Sequence, residues 1–148
     1  MTPFPHRYQV MLANRQLLAP PRDPIALGPP PQFGGTSDRV WSPEELLVGA
    51  ALECLWTTFE AFARKDQLSV DDWSATGVAI LDRGPRVPVF TSITLTVQMH
   101  VDGRDEERAR QLLTKAAERC IVANALNVPI KVEVTVTATP MRDERSAG

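Results

Sequence analysis

The stretch that decides the fold runs from Ser42 to Arg64, SPEELLVGAALECLWTTFEAFAR. Ser42 is a good N-cap, Pro43 suits a first helical turn, and Glu45 stands three residues after the cap, the spacing of a capping box. Leu46, Leu47, Val48, Ala50, Ala51, Leu52, Leu55 and Trp56 follow. A helix apolar on so many sides is expected in the middle of a structure rather than on its surface. One polar stripe survives: Glu45, Gly49, Glu53, Thr57, Glu60 and Arg64 recur every three or four residues and share a face. Cys54 lies beside that stripe on the apolar side, in line with Leu47, Ala50, Ala51 and Thr58. A thiol on the buried side of a helix is what the rest of the chain has to explain.

Working outward, HRYQVMLA at residues 6–13 alternates loosely and predicts a strand, with Asn14-Arg15 as a turn into a second short strand at 16–19. Residues 20–41 form a proline-rich crossing segment containing Pro20, Pro21, Pro24 and Pro29-Pro30-Pro31. Proline excludes helix and central strand there, so the segment is expected to cross the surface in extended form, anchored by Ile25, Leu27 and Phe33. After the helix, residues 68–82 and 89–101 alternate with period two around Arg83-Gly84-Pro85 and predict an antiparallel hairpin. Asp105 is expected to cap a second helix whose buried face carries Ala109, Leu112, Leu113, Ala116, Ala117, Cys120 and Ile121. Asn124 and Asn127-Val128-Pro129 should break that helix before a last strand at 130–138. Two main helices segregated on one face of a mainly antiparallel sheet make an α+β domain. Residues 1–140 are read as one domain, and 141–148 as a disordered tail.

At 148 residues and net charge −2, the chain can bury roughly 68–70% of its unfolded surface. It has no basic stripe for nucleic acid. The start, MTPFPHRYQV, has no apolar run of signal-peptide length, and no stretch is read as reaching the roughly 18 residues of a membrane helix. A soluble cytoplasmic protein without a membrane partner is expected. Cys54 and Cys120 are the only cysteines. They match no zinc or CxxC pattern, and His6 and His100 add no ligand spacing, so neither metal nor cofactor is expected. In a reducing compartment the two thiols are either inert core side chains or a redox pair.

A reactive thiol needs a positive neighbour to lower its pKa. Cys54 is mid-helix, without help from a helix N-terminus, whereas Cys120 falls near a helix C-terminus, where partial negative charge disfavours thiolate. That asymmetry makes Cys54 the attacker and Cys120 the resolver. A cation for Cys54 would come from Arg7, Arg15, Arg22 or Arg39. Glu44 lies ten residues before Cys54, about 15 Å along a helix. Either it serves the same site from a second subunit, or it only stabilises the helix dipole, worth roughly 0.3–1 kcal/mol.

With both cysteines placed, the sequence resembles the OsmC/Ohr superfamily of organic hydroperoxide reductases from about Phe33 to Thr139. The resemblance rests on Gly34-Gly35, on SPEELLVGAALEC, with its Pro-Glu-Glu-Leu opening ten residues before the cysteine, and on CIVANAL at 120–126. It implies an intertwined α+β homodimer with active sites at the subunit interface. It also implies that Cys54 is the peroxidatic cysteine, oxidised to a sulfenic acid that Cys120 resolves as a disulfide. Glu44 would match the family's active-site glutamate, orienting an arginine for which Arg15 is the best candidate. A lipoyl-type dithiol would be the reductant. Ile121 stands where the family often has proline. The other reading is a non-catalytic OsmC-like dimer that binds an apolar small molecule in an interface pocket lined by Trp41, Leu47 and Phe59.

Overall fold

Asn14 and Arg15 set the first turn. Their φ values of 52° and 59° are the two positive angles that a two-residue type I′ hairpin requires. In the computed structural model, which describes residues 4–36 and 39–139, this turn joins β1 (Met11–Ala13) to β2 (Gln16–Leu18), with Ala13 paired to Gln16. The strand expected over 6–13 is therefore confined to its last three residues. The tail expected to be disordered, 141–148, lies outside the described residues.

The proline-rich segment is more structured than expected. β3 (Ile25–Ala26) adds antiparallel to β2 at the edge of a three-stranded sheet, where prolines on either side cost no ladder bond. Pro31–Phe33 forms one 3-10 turn with proline in its first positions, closed by Gly34 at φ 83°. Leu27 bridges in parallel to Trp41. Of the three expected anchors only Leu27 is half-buried, because Ile25 and Phe33 expose their side chains.

α1 (Pro43–Lys65) opens on the capping box read from the sequence. The Ser42 N–H donates to Glu45 Oε2 at 2.8 Å, and the Glu45 N–H donates to Ser42 Oγ at 3.1 Å. The chain divides into two compact units, and the division falls inside this helix, between Leu47 and Val48.

The second unit is built on β4 (Val70–Arg83) and β5 (Pro88–Asp102), a long antiparallel hairpin, with β6 (Ile130–Thr139) on the other side of β5. β6 runs parallel to β5. This departs from a purely antiparallel sheet because a helical crossover, not a tight turn, returns the chain to the starting end. That crossover is α2 (Glu106–Arg119) followed by α3 (Ile121–Ala125). The predicted alternation selects one sheet face: Ile93, Leu95, Val97, Met99 and Val101 of β5 are all buried. Against them lie Ala51, Leu55, Phe59 and Ala63 of α1 and Ala109, Leu112, Leu113 and Ala116 of α2. Both helices thus bury apolar stripes into one core.

Four expectations need correction here. α1 buries one stripe rather than most of its circumference, and its polar stripe from Glu53 to Arg64 is exposed. By length and composition alone it is also apolar enough to cross a membrane, contrary to the reading that no stretch is; core helices share that composition. Asp105 occupies the N-cap position but makes no side-chain cap, bonding Arg108 Nη1 at 3.4 Å instead. The second helix breaks at Cys120, four residues before Asn124, which leaves Ile121 79% exposed rather than on the buried face.

α1 reaches β4 at Gly77, where an added Cβ would overlap Val48 Cγ1 and press Leu52 Cδ1 at 3.2 Å. Val48 is β-branched and cannot rotate away cheaply. Gly77→Ala should therefore lower stability by about 1–3 kcal/mol, read as a lower urea midpoint with unchanged slope. Ser42→Ala, which removes the cap, should cost about 1 kcal/mol in the same assay.

Candidate functional site

Cys54 sits half-buried in the middle of α1, two residues beyond Leu52, the contact over Gly77. Gly77, Leu95 and Val132 form one row across the sheet, so the helix–sheet contact and the thiol are fixed together. Cys120 arrives over the same row from the other helix. It lines a cavity of about 60 Å³ with Leu55, Leu95, Ala117, Ala123, Ile130 and Val132.

The break at Cys120 decides the local chemistry. Cys120 is extended, at φ −64° and ψ 112°, between the end of α2 and the start of α3. The first N–H groups of a helix have no carbonyl partner inside it. Here they meet sulfur: the Val122 N–H donates to Cys54 Sγ at 3.5 Å. Burial pushes the Cys54 thiol up, but the Val122 N–H, the Cys120 thiol, the Ile121 N–H and the Thr58 hydroxyl outweigh it, and the group lies below its ordinary value. Cys120 goes the other way. Its burial raises it, the Ala123 N–H opposes, and the adjoining Cys54 raises it further. Burial raises both thiols; hydrogen bonds outweigh it at Cys54 and do not at Cys120, so the difference between them comes from the donors rather than from a helix dipole. The expectation that Cys54 gets no help from a helix N-terminus is corrected, since the Val122 N–H that meets it lies in the first turn of α3. The sequence sign is Cys120 near the end of its helix, followed at once by helix-forming IVANA.

The other two candidates lie in the N-terminal unit. Arg15 is exposed at the type I′ turn, where its carbonyl accepts the Leu27 N–H at 2.8 Å. Of the alternatives, Arg7 bonds Gln9 Oε1 at 2.9 Å and Arg22 bonds the Ala19 carbonyl at 3.4 Å. Glu44 stands in the first turn of α1, ten residues before Cys54. Its Oε2 is buried with no hydrogen-bond partner among the described residues. His100 is held by Thr137 and Thr139 hydroxyls at 3.0 and 2.9 Å. Phe59 is fully buried and stacked on Trp73 with ring centroids 5.1 Å apart. It is core, not the pocket lining expected of it, whereas Trp41 is 55% exposed.

A model of the OsmC-like protein family matches residues 35–135. The chain belongs to this family. No curated protein matches its sequence. Among solved structures, an organic hydroperoxide resistance protein OsmC from Legionella pneumophila superposes with a TM-score of 0.69 at 24% identity, covering 89% of this chain and 100% of that one. An OsmC-like protein from Mycoplasma pneumoniae gives a TM-score of 0.74 at 16% identity, over 89% and 98% of the two chains. An organic hydroperoxide resistance protein from Elizabethkingia anophelis gives 0.69 at 18% identity, over 90% and 99%. At these identities the likeness shows the α+β OsmC-like fold that the sequence resemblance implied.

In this OsmC-like protein the two thiols should titrate in a fixed order. Iodoacetamide alkylation of the Cys120→Ser chain should reach half-maximal rate below the ordinary cysteine value of about 8.5. In the Cys54→Ser chain it should do so above that value. Coincident midpoints would contradict the arrangement of donors around Cys54.

Proposed function

We propose that this OsmC-like protein is a thiol peroxidase that reduces organic hydroperoxides through Cys54 and Cys120. The supporting observation is the Cys54 sulfur itself, met by a backbone N–H and by the Cys120 thiol. A sulfur that accepts such donors carries negative charge more readily, and thiolate is the nucleophile.

The Cys54 thiolate attacks the distal oxygen of ROOH. An S–O bond forms, the O–O bond breaks, and RO⁻ takes a proton from solvent to leave as ROH. Cys54 is then a sulfenic acid. Cys120, kept as a thiol by burial, gives up its proton as its sulfur attacks Cys54. The S–S bond forms and hydroxide departs as water. A dithiol reductant of the lipoyl type supplies two electrons and two protons, restores both thiols and becomes a cyclic disulfide. This cycle requires a reducing compartment, in keeping with a cytoplasmic site.

The arginine and glutamate complete the proposal. Cys54 still needs a cation, and Arg15 is assigned that role. Glu44 cannot approach Cys54 within α1, and its unpaired buried oxygen suits a guanidinium partner. Both points favour a homodimer in which Glu44 of one copy and Cys54 of the other share a site. The small-molecule reading is disfavoured by the core position of Phe59.

Thiol titration tests the cycle. The reduced chain should lose both thiols within seconds of one equivalent of cumene hydroperoxide. Cys54→Ser should not react, and Cys120→Ser should accumulate a sulfenic acid that dimedone traps. Persistence of both thiols for minutes under excess peroxide would refute the peroxidase. Arg15→Gly keeps the backbone, because glycine accepts positive φ freely, so a tenfold or greater loss of rate at unchanged melting temperature would report the guanidinium alone. An unchanged rate would pass the role to another arginine.

A further inference from the structure

Asn124 takes no part in the cycle above, yet it bonds both sides of the Cys120 break. Its Nδ2 donates to the Glu118 carbonyl at 3.0 Å and to the Cys120 carbonyl at 2.8 Å. Its own N–H donates to the Cys120 carbonyl at 3.0 Å. In an unbroken helix the Glu118 carbonyl would accept the Val122 N–H, four residues on. Here the carboxamide occupies that carbonyl. The Ala117 carbonyl, which Ile121 would use, accepts the Cys120 N–H at 3.4 Å. The two N–H groups released in this way, from Ile121 and Val122, are the ones that act on Cys54.

We propose that Asn124 is a positioning residue for the thiol pair: its carboxamide holds the α2–α3 junction open at Cys120, keeping the Val122 and Ile121 amides on Cys54 and Cys120 beside it. Without the carboxamide, the Glu118 carbonyl loses its donor, and the bond that best restores it is the Val122 N–H. Making that bond continues the helix through residue 120, turns Cys120 out of register and takes the amides off Cys54. A neutral donor to a charged acceptor contributes more than one between neutral groups, so the loss falls mainly on the Cys54 thiolate.

The consequence for turnover rests on the peroxidase reading, but the assay on Cys54 does not. On α1 the adjacent charge is Glu53, which is exposed. From the α2–α3 junction the titratable group facing Cys54 is Cys120, replaced by serine in the assay. The neighbouring β5 and β6 side chains Leu95, Ile130 and Val132 are apolar.

In the Cys120→Ser chain, Asn124→Ala should raise the pH midpoint of Cys54 alkylation by about one unit. Asn124→Asp, of the same shape but without donors, should do the same, and Asn127→Ala, an exposed asparagine of the same segment, should leave the midpoint unchanged. With Cys120 present, Asn124→Ala should close the disulfide about tenfold more slowly after one equivalent of peroxide. If both Asn124 variants keep the parent midpoint and closure rate, whatever their melting temperatures, the carboxamide serves only local stability and the proposal is wrong. Should neither variant fold, the Cys120→Ser chain still decides: the Val122 amide proton resonance should follow Cys54 ionisation, and its indifference would overturn the assignment. A parent chain that keeps both thiols under peroxide while the Asn124 variants still shift the alkylation midpoint refutes the peroxidase and supports the Asn124 assignment.

Discussion

The contact of α1 with β4 at Gly77 is the constraint from which the larger unit follows. The missing side chain lets Val48 and Leu52 reach the strand, and the stripe Ala51, Leu55, Phe59 and Ala63 then falls onto the core. Cys54, next to Leu55 of that stripe and half a turn from Leu52, has no freedom of its own. Its placement is a by-product of helix packing. A thiol mounted this way is firmly held because it lies on a rigid element whose burial, not local loop structure, sets its position.

The second thiol is placed by a different device. Where α1 is continuous through its cysteine, the α2–α3 segment is interrupted at its own. Continuity gives Cys54 a half-exposed sulfur within reach of donors, and interruption supplies those donors while burying Cys120. Two cysteines of identical covalent chemistry are thereby driven in opposite directions. This is the division of labour a two-thiol cycle requires, since the attacker must be anionic while the resolver waits as a thiol.

Much of this was legible in the sequence. The capping box at Ser42 and Glu45, the Asn14-Arg15 turn, the period-two strands of the long hairpin and the apolar face of α2 each rest on local rules, and local rules survive folding. The direction of β6 was less accessible, since a strand of alternating valines reads the same either way and only its connection selects parallel pairing. Cys120 was placed near the end of its helix, but the break at that residue and the exposure of Ile121 were not legible, because IVANA has ordinary helical composition. What ends the helix is a side-chain amide from Asn124 competing for carbonyls, and asparagine reads as a breaker at its own position rather than four residues upstream. The donors around Cys54 inherit that blind spot: they are backbone groups and carry no residue signature. Arg15 and Glu44 came from resemblance and spacing, and both fall in the N-terminal unit.

The two thiols flank much of the second unit: β4, β5 and α2 all lie between them in the chain. A bond joining Cys54 to Cys120 would close a covalent ring of some 66 residues. By chain-entropy arguments, a ring of that size disfavours the unfolded state by about 4 kcal/mol. The oxidised protein, waiting for its reductant, would then be the sturdier form, and each return to the dithiol would loosen it. Under the proposed cycle, oxidation would staple the fold that carries the two thiols.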